Sequence, residues 1–178
     1  MTYKGAPLMS ERQNWATPIE FMEWLEETRG LTFDLDPASV SKTAKAPNYY
    51  GPDHPIESCR DGLTADWFGR VWLNPPFGNE LKDWLNKCAK EIKRKEVDSI
   101  YCLIPARTDT KNFHDIIMPH AYLIYLIRGR FNFTDGDTLQ KAPNAPFPSM
   151  LVVYRKHKLP DAGITVLDVP AHARGHGK

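Results

Sequence analysis

The sequence predicts an α/β domain built on a mostly parallel sheet, with helices on both faces. Three observations carry that prediction. Apolar runs of strand length alternate with segments of helical period, the pattern of strands joined by helical crossovers. One run, DSIYCLIP at 98–105, is continuously apolar, as a strand covered on both faces requires. Two strands end in proline-containing turns, Asp36-Pro37 and Asn74-Pro75-Pro76-Phe77, at the carboxyl ends where ligands bind in such sheets.

Taken in order, the first element is a helix over TPIEFMEWLEETRG, 17–30. Thr17 is placed as its N-cap, Pro18 as its first residue and Glu20 as the return partner of a capping box, while Gly30 is a natural stop. LTFDL (31–35) reads as a strand that ends at Asp36-Pro37, because proline cannot continue a central ladder. A polar, irregular region runs from Ser39 to about Asp66, and GRVWLN (69–74) is the next strand. After Gly78-Asn79, ELKDWLNKCAKEIKRK puts Leu81, Trp84, Leu85, Cys88 and Ile92 on one helical face. The opposite face is mostly charged, and Lys90, Lys93, Arg94 and Lys95 read as solvated. TKNFHDIIM forms a short helix stopped by Pro119, and AYLIYLI, GRFNF and SMLVVYR complete the strands, the last two separated by the loop Asp135 to Pro148. Residues 1–156 make one domain, and 157–178 read as a loosely ordered basic tail.

Composition narrows the function. With 178 residues, 42% hydrophobic and 25% charged, the chain is long enough for one real core. A formal net charge of +1 means that a nucleic-acid partner must be held by a local patch and not by the overall field. The longest strongly apolar run, AYLIYLI, falls far short of the ~20 residues that cross a bilayer, and the amino-terminal segment has no signal-like apolar stretch. Cytosolic residence is expected, and Cys59, Cys88 and Cys102 suit reduced thiols there. Cys88 and Cys102 read as core residues, and Cys59 with His54 offers too few ligands for zinc.

The chemistry lies in VWLNPPFGN, 71–79. A turn needs neither two prolines nor an aromatic. An exocyclic amine on a nucleobase is a poor nucleophile, because its lone pair is delocalised into the ring; two acceptors on its hydrogens would draw it toward a tetrahedral shape. Asn74 supplies a side-chain carbonyl and Pro75 a backbone carbonyl, and the prolines hold both in a rigid geometry without competing N–H donors. Phe77 offers a flat face to a base swung out of its duplex. Against this stands a purely structural turn with Phe77 packed beneath it.

The chain is similar to S-adenosylmethionine-dependent amino-methyltransferases, whose signature is [D/N/S]PP[Y/F/W], and more specifically resembles the phage-type, Dam-like DNA N-6-adenine methyltransferases. The resemblance runs in order through WATP (15–18), FDLDPAS (33–39), DGLTADW (61–67), VWLNPPFG (71–78), ARTDTKNFH (106–114), GRFNF (129–133) and APFPSMLVV (145–153). It implies a Rossmann-like class I methyltransferase sheet, mostly parallel with one antiparallel strand near its end. It also implies S-adenosylmethionine as cofactor and the 6-amino group of DNA adenine as acceptor, in a phage or prophage modification enzyme. On this resemblance Asn74, Pro75, Pro76 and Phe77 match the catalytic motif; Trp15, Thr17 and Pro18 match a segment over the cofactor's methionine end; Asp36 and Pro37 match the end of the first cofactor strand; and Asp66 matches an acid near the cofactor's adenine.

The loop DPASVSKTAK departs from the usual methyltransferase pattern in lacking glycines, so its contacts are expected from side chains such as Ser39 and Lys45. Asp34 and Asp36 share a strand face and could be paired catalytic carboxylates, with Asn144 and His114 as helpers. Asp36 is assigned to the cofactor, and Asp34 to either the cofactor site or the structure. Arg107, Arg128 and Arg130 near strand ends, with Lys141 in the long loop, are candidates for DNA contact. Asn-Pro-Pro also suits cytosine, RNA or a glutamine amide, and a DNA-binding relic without turnover is the rival of another class. Either a monomer or a homodimer accords with this reading.

Overall fold

The computed structural model describes residues 15–141, 145–157 and 159–176. Strand β1 (Trp15–Ala16) precedes helix α1 (Ile19–Arg29). Then come β2 (Leu35–Asp36), β3 (Asn48–Tyr49), β4 (Gly69–Leu73), α2 (Leu81–Glu91) and β5 (Val97–Pro105). A π-helical segment, Asn112–Ile117, continues as the single α-turn Met118–His120. The remaining strands are β6 (Leu123–Ile127), β7 (Thr134–Asp135), β8 (Ser149–Arg155) and β9 (Gly163–Leu167).

Seven strands form one sheet in the order β3-β2-β4-β5-β8-β6-β9. Strand β8 is antiparallel to both its neighbours and every other pairing is parallel. The register sets Leu35 beside Val71 and Val71 beside Ile100. The carboxyl ends of β2, β4 and β5, with the turns that follow them, therefore line one edge, which is how Asp36 and Asn74 become neighbours. Strand β1 pairs antiparallel with β7, outside the main sheet.

Side chains alternate across the sheet as strand geometry requires. Val71, Leu73, Ile100, Cys102 and Ile124 face α2 and the π-helical segment, and Trp72, Tyr101, Leu103 and Leu151 face α1. The predicted apolar face of α2 is buried at Trp84, Leu85 and Cys88, with Ile92 just beyond its end, and Cys102 is likewise buried. The polar face of α2 differs from expectation. Lys87 and Glu91 are buried as an ion pair at 2.9 Å. Lys87 Nζ donates to the Ala65 carbonyl at 2.8 Å and Glu91 Oε2 accepts from the Trp67 amide at 3.0 Å, so the pair staples the loop before β4 to the helix. Arg94 is not simply solvated, because it pairs with both Glu91 and Asp66.

Three further expectations are corrected. Helix α1 starts one residue after Pro18, whose ψ of 136° is extended, and no side chain caps it. The cap position falls on Pro18, which has no side-chain acceptor, instead of on Thr17, and Glu20 pairs with Lys141. At the other end Gly30 does stop the helix, at φ 61°. The segment GRFNF is not a strand: its backbone partners come from a loop and the tail, through Ala145 N to Phe131 O and Asn132 N to Arg174 O, both within 2.9 Å.

The tail, for its part, is ordered where it is described. Strand β9 extends the sheet beside β6, and the turn His172–Arg174 buries Ala173 in the same core cluster as α1. Arg174 Nη1 and His176 Nε2 both donate to the Arg130 carbonyl, at 3.0 and 2.8 Å. Short apolar spacing in GITVL hides an edge strand whose Ile164 and Val166 remain exposed.

Candidate active site

A cavity of about 300 Å³ opens at the carboxyl edge, over the ends of β2 and β4. Such clefts hold small ligands when apolar walls carry a few fixed polar groups. Of the residues expected here, Trp15, Thr17, Asp36, Pro37, Ser39, Asn74 and Pro76 line it. Sequence reasoning missed Thr43, Tyr50, Arg60, Asp61, Trp72 and Trp84, which line it too. The signal for some of them was present as turn dipeptides, Gly51-Pro52 and Asp61-Gly62.

Gly51 and Gly62 of those dipeptides pack against the glycine-poor loop. A Cβ on Gly51 would stand 1.7 Å from the Ser39 carbonyl oxygen, and one on Gly62 1.8 Å from that of Pro37. Glycines of two later turns thus pack backbone to backbone against DPAS, where a side chain has no room.

Asp36 is almost wholly buried, and its two oxygens accept from the Ala38 amide at 3.4 Å and the Lys45 amide at 3.0 Å. Burial pushes its carboxyl up to about 6, against the opposing pull of those two amides. Burial also lowers the Lys45 ammonium.

Asn74 is the other polar group at this edge. Its Nδ2 donates to the Trp15 carbonyl at 2.5 Å, which orients the amide, and its Oδ1 is buried with no hydrogen-bond partner among the described residues. Thr17 Oγ1, Trp72 Nε1 and Trp84 Nε1 are likewise buried without a partner. Buried polar atoms are nearly always paired, so four without a partner among the described residues, all on the lining of one cavity, leave groups there to which a ligand can bond.

Phe77 points out of this cavity. It is half-buried between the two core clusters, edge-on to Phe147 at 5.5 Å and to Phe133 at 6.2 Å. With Arg107 it lines a second, smaller cavity on the α2 side. Pro75 is buried in the turn.

Several expected residues stand elsewhere. Asp66 is exposed, away from the cavity lining, and ion-paired to Arg94, which lowers its carboxyl; the acid of this segment that lines the cavity is Asp61. Asp34 belongs to the structure: its Oδ2 accepts the Arg70 amide at 2.7 Å, joining β4 to the chain before β2. Pro18 packs beside Gly175 of the tail and is absent from the cavity lining. Arg128 pairs with Asp168 at 3.6 Å, Arg130 Nη1 donates to the Ala145 carbonyl at 3.1 Å, and Lys141 bonds Glu20 at 2.6 Å. Among the DNA candidates only Arg107 lies beside Phe77. His114 is exposed on the π-helical segment, and Asn144 lies outside the described residues.

Fold and site together define a class: an α/β methyltransferase in which a ligand-sized cavity and an Asn-Pro-Pro-Phe turn meet at the carboxyl edge of a mostly parallel sheet. A sequence model of the DNA N-6-adenine-methyltransferase (Dam) family matches residues 5–176. A curated relative, the DNA N-6-adenine-methyltransferase of Haemophilus phage HP1 (strain HP1c1), is 26% identical over 155 residues, covering 86% of this chain and 85% of its own. The chain belongs to the Dam family of DNA N-6-adenine-methyltransferases. It methylates the 6-amino group of adenine in DNA, with S-adenosylmethionine as methyl donor. No helix among the described residues is long and apolar enough to cross a membrane.

Proposed function

We propose that Asn74 and Pro75 hold the amino group of the target adenine while the cavity over β2 and β4 holds the cofactor. The observation that carries this is the Asn74 amide: one end is bonded to the Trp15 carbonyl and the other is a buried acceptor without a partner. An acceptor left open at a cost of about 1–3 kcal/mol has a use when a donor arrives, and an amine N–H is such a donor. Pro75 has no N–H, so its carbonyl can accept from the second amine hydrogen with no competing donor at that residue.

Trp15, Thr17, Asp36, Pro37, Ser39 and Pro76 are the cofactor side of this reading, joined by Asp61 and Lys45. Bound there, S-adenosylmethionine supplies an electrophilic methyl group on a sulfonium. Asp36 offers its ionised oxygens to hydroxyl or ammonium donors, the orphaned Thr17 hydroxyl and the two indole N–H groups pair with polar atoms of the ligand, and Trp15 covers the cavity and excludes water. Phe77 stacks on the flipped base after its contact with Phe147 loosens. Arg107 contacts backbone phosphate. The phage relative supports a phage-derived modification enzyme acting in the cytoplasm of a bacterial host.

The test is Asn74→Ala, assayed for 6-methyladenine in digested DNA and for cofactor binding by calorimetry. Activity is expected to collapse with cofactor affinity nearly intact; parallel loss of both would make Asn74 a structural residue.

A further inference from the structure

The second cavity, of about 120 Å³, lies between Phe77-Gly78, the start of α2, the end of β5 and the π-helical segment. Its floor is Leu85, Ile104, Ile117 and Met150, all nearly inaccessible and without a polar side-chain atom. Its rim carries Arg107, Thr110 and Asn112. Thr110 is already used, since its hydroxyl donates to the Arg107 carbonyl at 3.0 Å and accepts the Phe113 amide at 3.3 Å, fixing the rim loop. Asn112 is half-buried, and its carboxamide has no hydrogen-bond partner among the described residues.

We propose that this pocket receives a base of the substrate DNA next to the adenine being methylated, and that Asn112 reads its edge and so helps to set the recognition sequence. The inference rests on the reading that the Asn74–Phe77 turn faces DNA. A slot with an apolar floor and a carboxamide on its rim matches a nucleobase, whose faces are apolar and whose edge alternates donors and acceptors; a carboxamide provides both. Arg107 on the same rim matches the phosphate that accompanies that base. The slot shares Phe77 with the catalytic turn and has no lining residue in common with the cofactor cavity, so a neighbouring nucleotide reaches it without displacing the cofactor.

The test compares the wild type with Asn112→Ala on unmethylated genomic DNA, mapping every 6-methyladenine with its flanking bases, alongside competition binding of oligonucleotides that differ at one flanking position. Asn112→Ala is expected to keep adenine as the acceptor and cofactor affinity within about twofold, while discrimination at one flanking position falls about tenfold or more. Leu81→Trp, which fills the slot from its side wall, is expected to weaken DNA binding and leave the cofactor unaffected. An unchanged site preference in Asn112→Ala, with only a uniform change in rate, overturns the proposal, as does equal loss of cofactor binding. The binding arm needs no turnover, so a shifted preference there with failed catalytic assignments separates this inference from the reading it rests on.

Discussion

Two turns at the same sheet edge begin alike and end differently. Asp36-Pro37 closes β2 and Asn74-Pro75 closes β4, each an acceptor side chain followed by proline at a parallel strand's carboxyl end. Both oxygens of Asp36 accept backbone amides, and burial makes its charge costly. Asn74 is neutral, bonded on its donor end alone, and keeps its acceptor open. An acid fixed by backbone amides, with a lone pair to spare on each oxygen, can hold a ligand's donors, whereas an oriented but unsatisfied carbonyl can act on a reacting group. The difference teaches that motif composition is less telling than what the surrounding backbone has already claimed.

The largest effect expected from this contrast is at Asn74. Removing one preorganised polar group aimed at a reacting centre costs about 10²- to 10³-fold in kcat. Asn74→Ala should lose at least that in single-turnover methylation, with cofactor Kd changed by less than about threefold. A comparable fall in cofactor affinity breaks the contrast, because both turns would then serve binding.

Asp36→Ala should show the reverse split. Hydrogen bonds to a charged group contribute about 1.5–3 kcal/mol, or roughly 10- to 100-fold in affinity, so calorimetry should find cofactor binding weakened by that factor. Activity at saturating cofactor should fall much less. If kcat collapses as it does for Asn74, Asp36 is more than a binding residue.

A pH series sharpens the same point. The folded carboxyl titrates at about 6, above its ordinary value of 3.8. Between those values the folded state binds the proton that the unfolded chain releases, so for this group the ligand-free protein loses stability as pH rises from about 4 to 6, by up to about 3 kcal/mol. Cofactor binding moves oppositely if it needs the carboxylate: affinity should fall about tenfold near pH 5 relative to its plateau above 7. Proton release on binding at pH 6, seen as calorimetric heats that vary with the buffer, checks the linkage directly.

The legibility of the two turns in sequence follows from how local their signals are. Alternating apolar runs made β4, β5, β6 and β8 visible, and proline at strand ends made both turns visible. The helix period of α2 was equally plain, but the burial of Lys87 and Glu91 was not, because only the approach of Ala65 and Trp67 from elsewhere in the chain makes that pair satisfiable. Strand β9 was missed because two of its apolar side chains stay exposed at the sheet edge, and β2 and β3 are too short to show a period. GRFNF has the composition of a strand, yet tertiary context gave its backbone to the loop and the tail. The partners of Arg128 and Arg130 could not be read locally at all, since Asp168 and the Ala145 carbonyl lie far along the chain from them.

The smallest effect is expected at Asp66, which the resemblance assigns to the cofactor and the structure sets outside the cavity lining. Asp66 sits before β4, where an acid for the cofactor is expected, but its side chain is exposed and paired with Arg94. Asp61, five residues earlier, lines the cavity, with its Oδ1 holding the Leu63 amide at 2.9 Å in the turn that also brings Gly62 against Pro37. Asp66→Ala should therefore leave cofactor Kd within about twofold, whereas Asp61→Ala should weaken it by roughly 3- to 10-fold, near one ordinary hydrogen bond. Asp61→Asn separates turn from ligand, since its side-chain oxygen can still accept the Leu63 amide: recovery of affinity assigns the effect to the turn, and continued loss assigns it to the carboxylate. Equal weakening by Asp66→Ala would mean that the Asp66–Arg94 pair positions the loop, and that the cleft depends on that brace as well as on the acid at its wall.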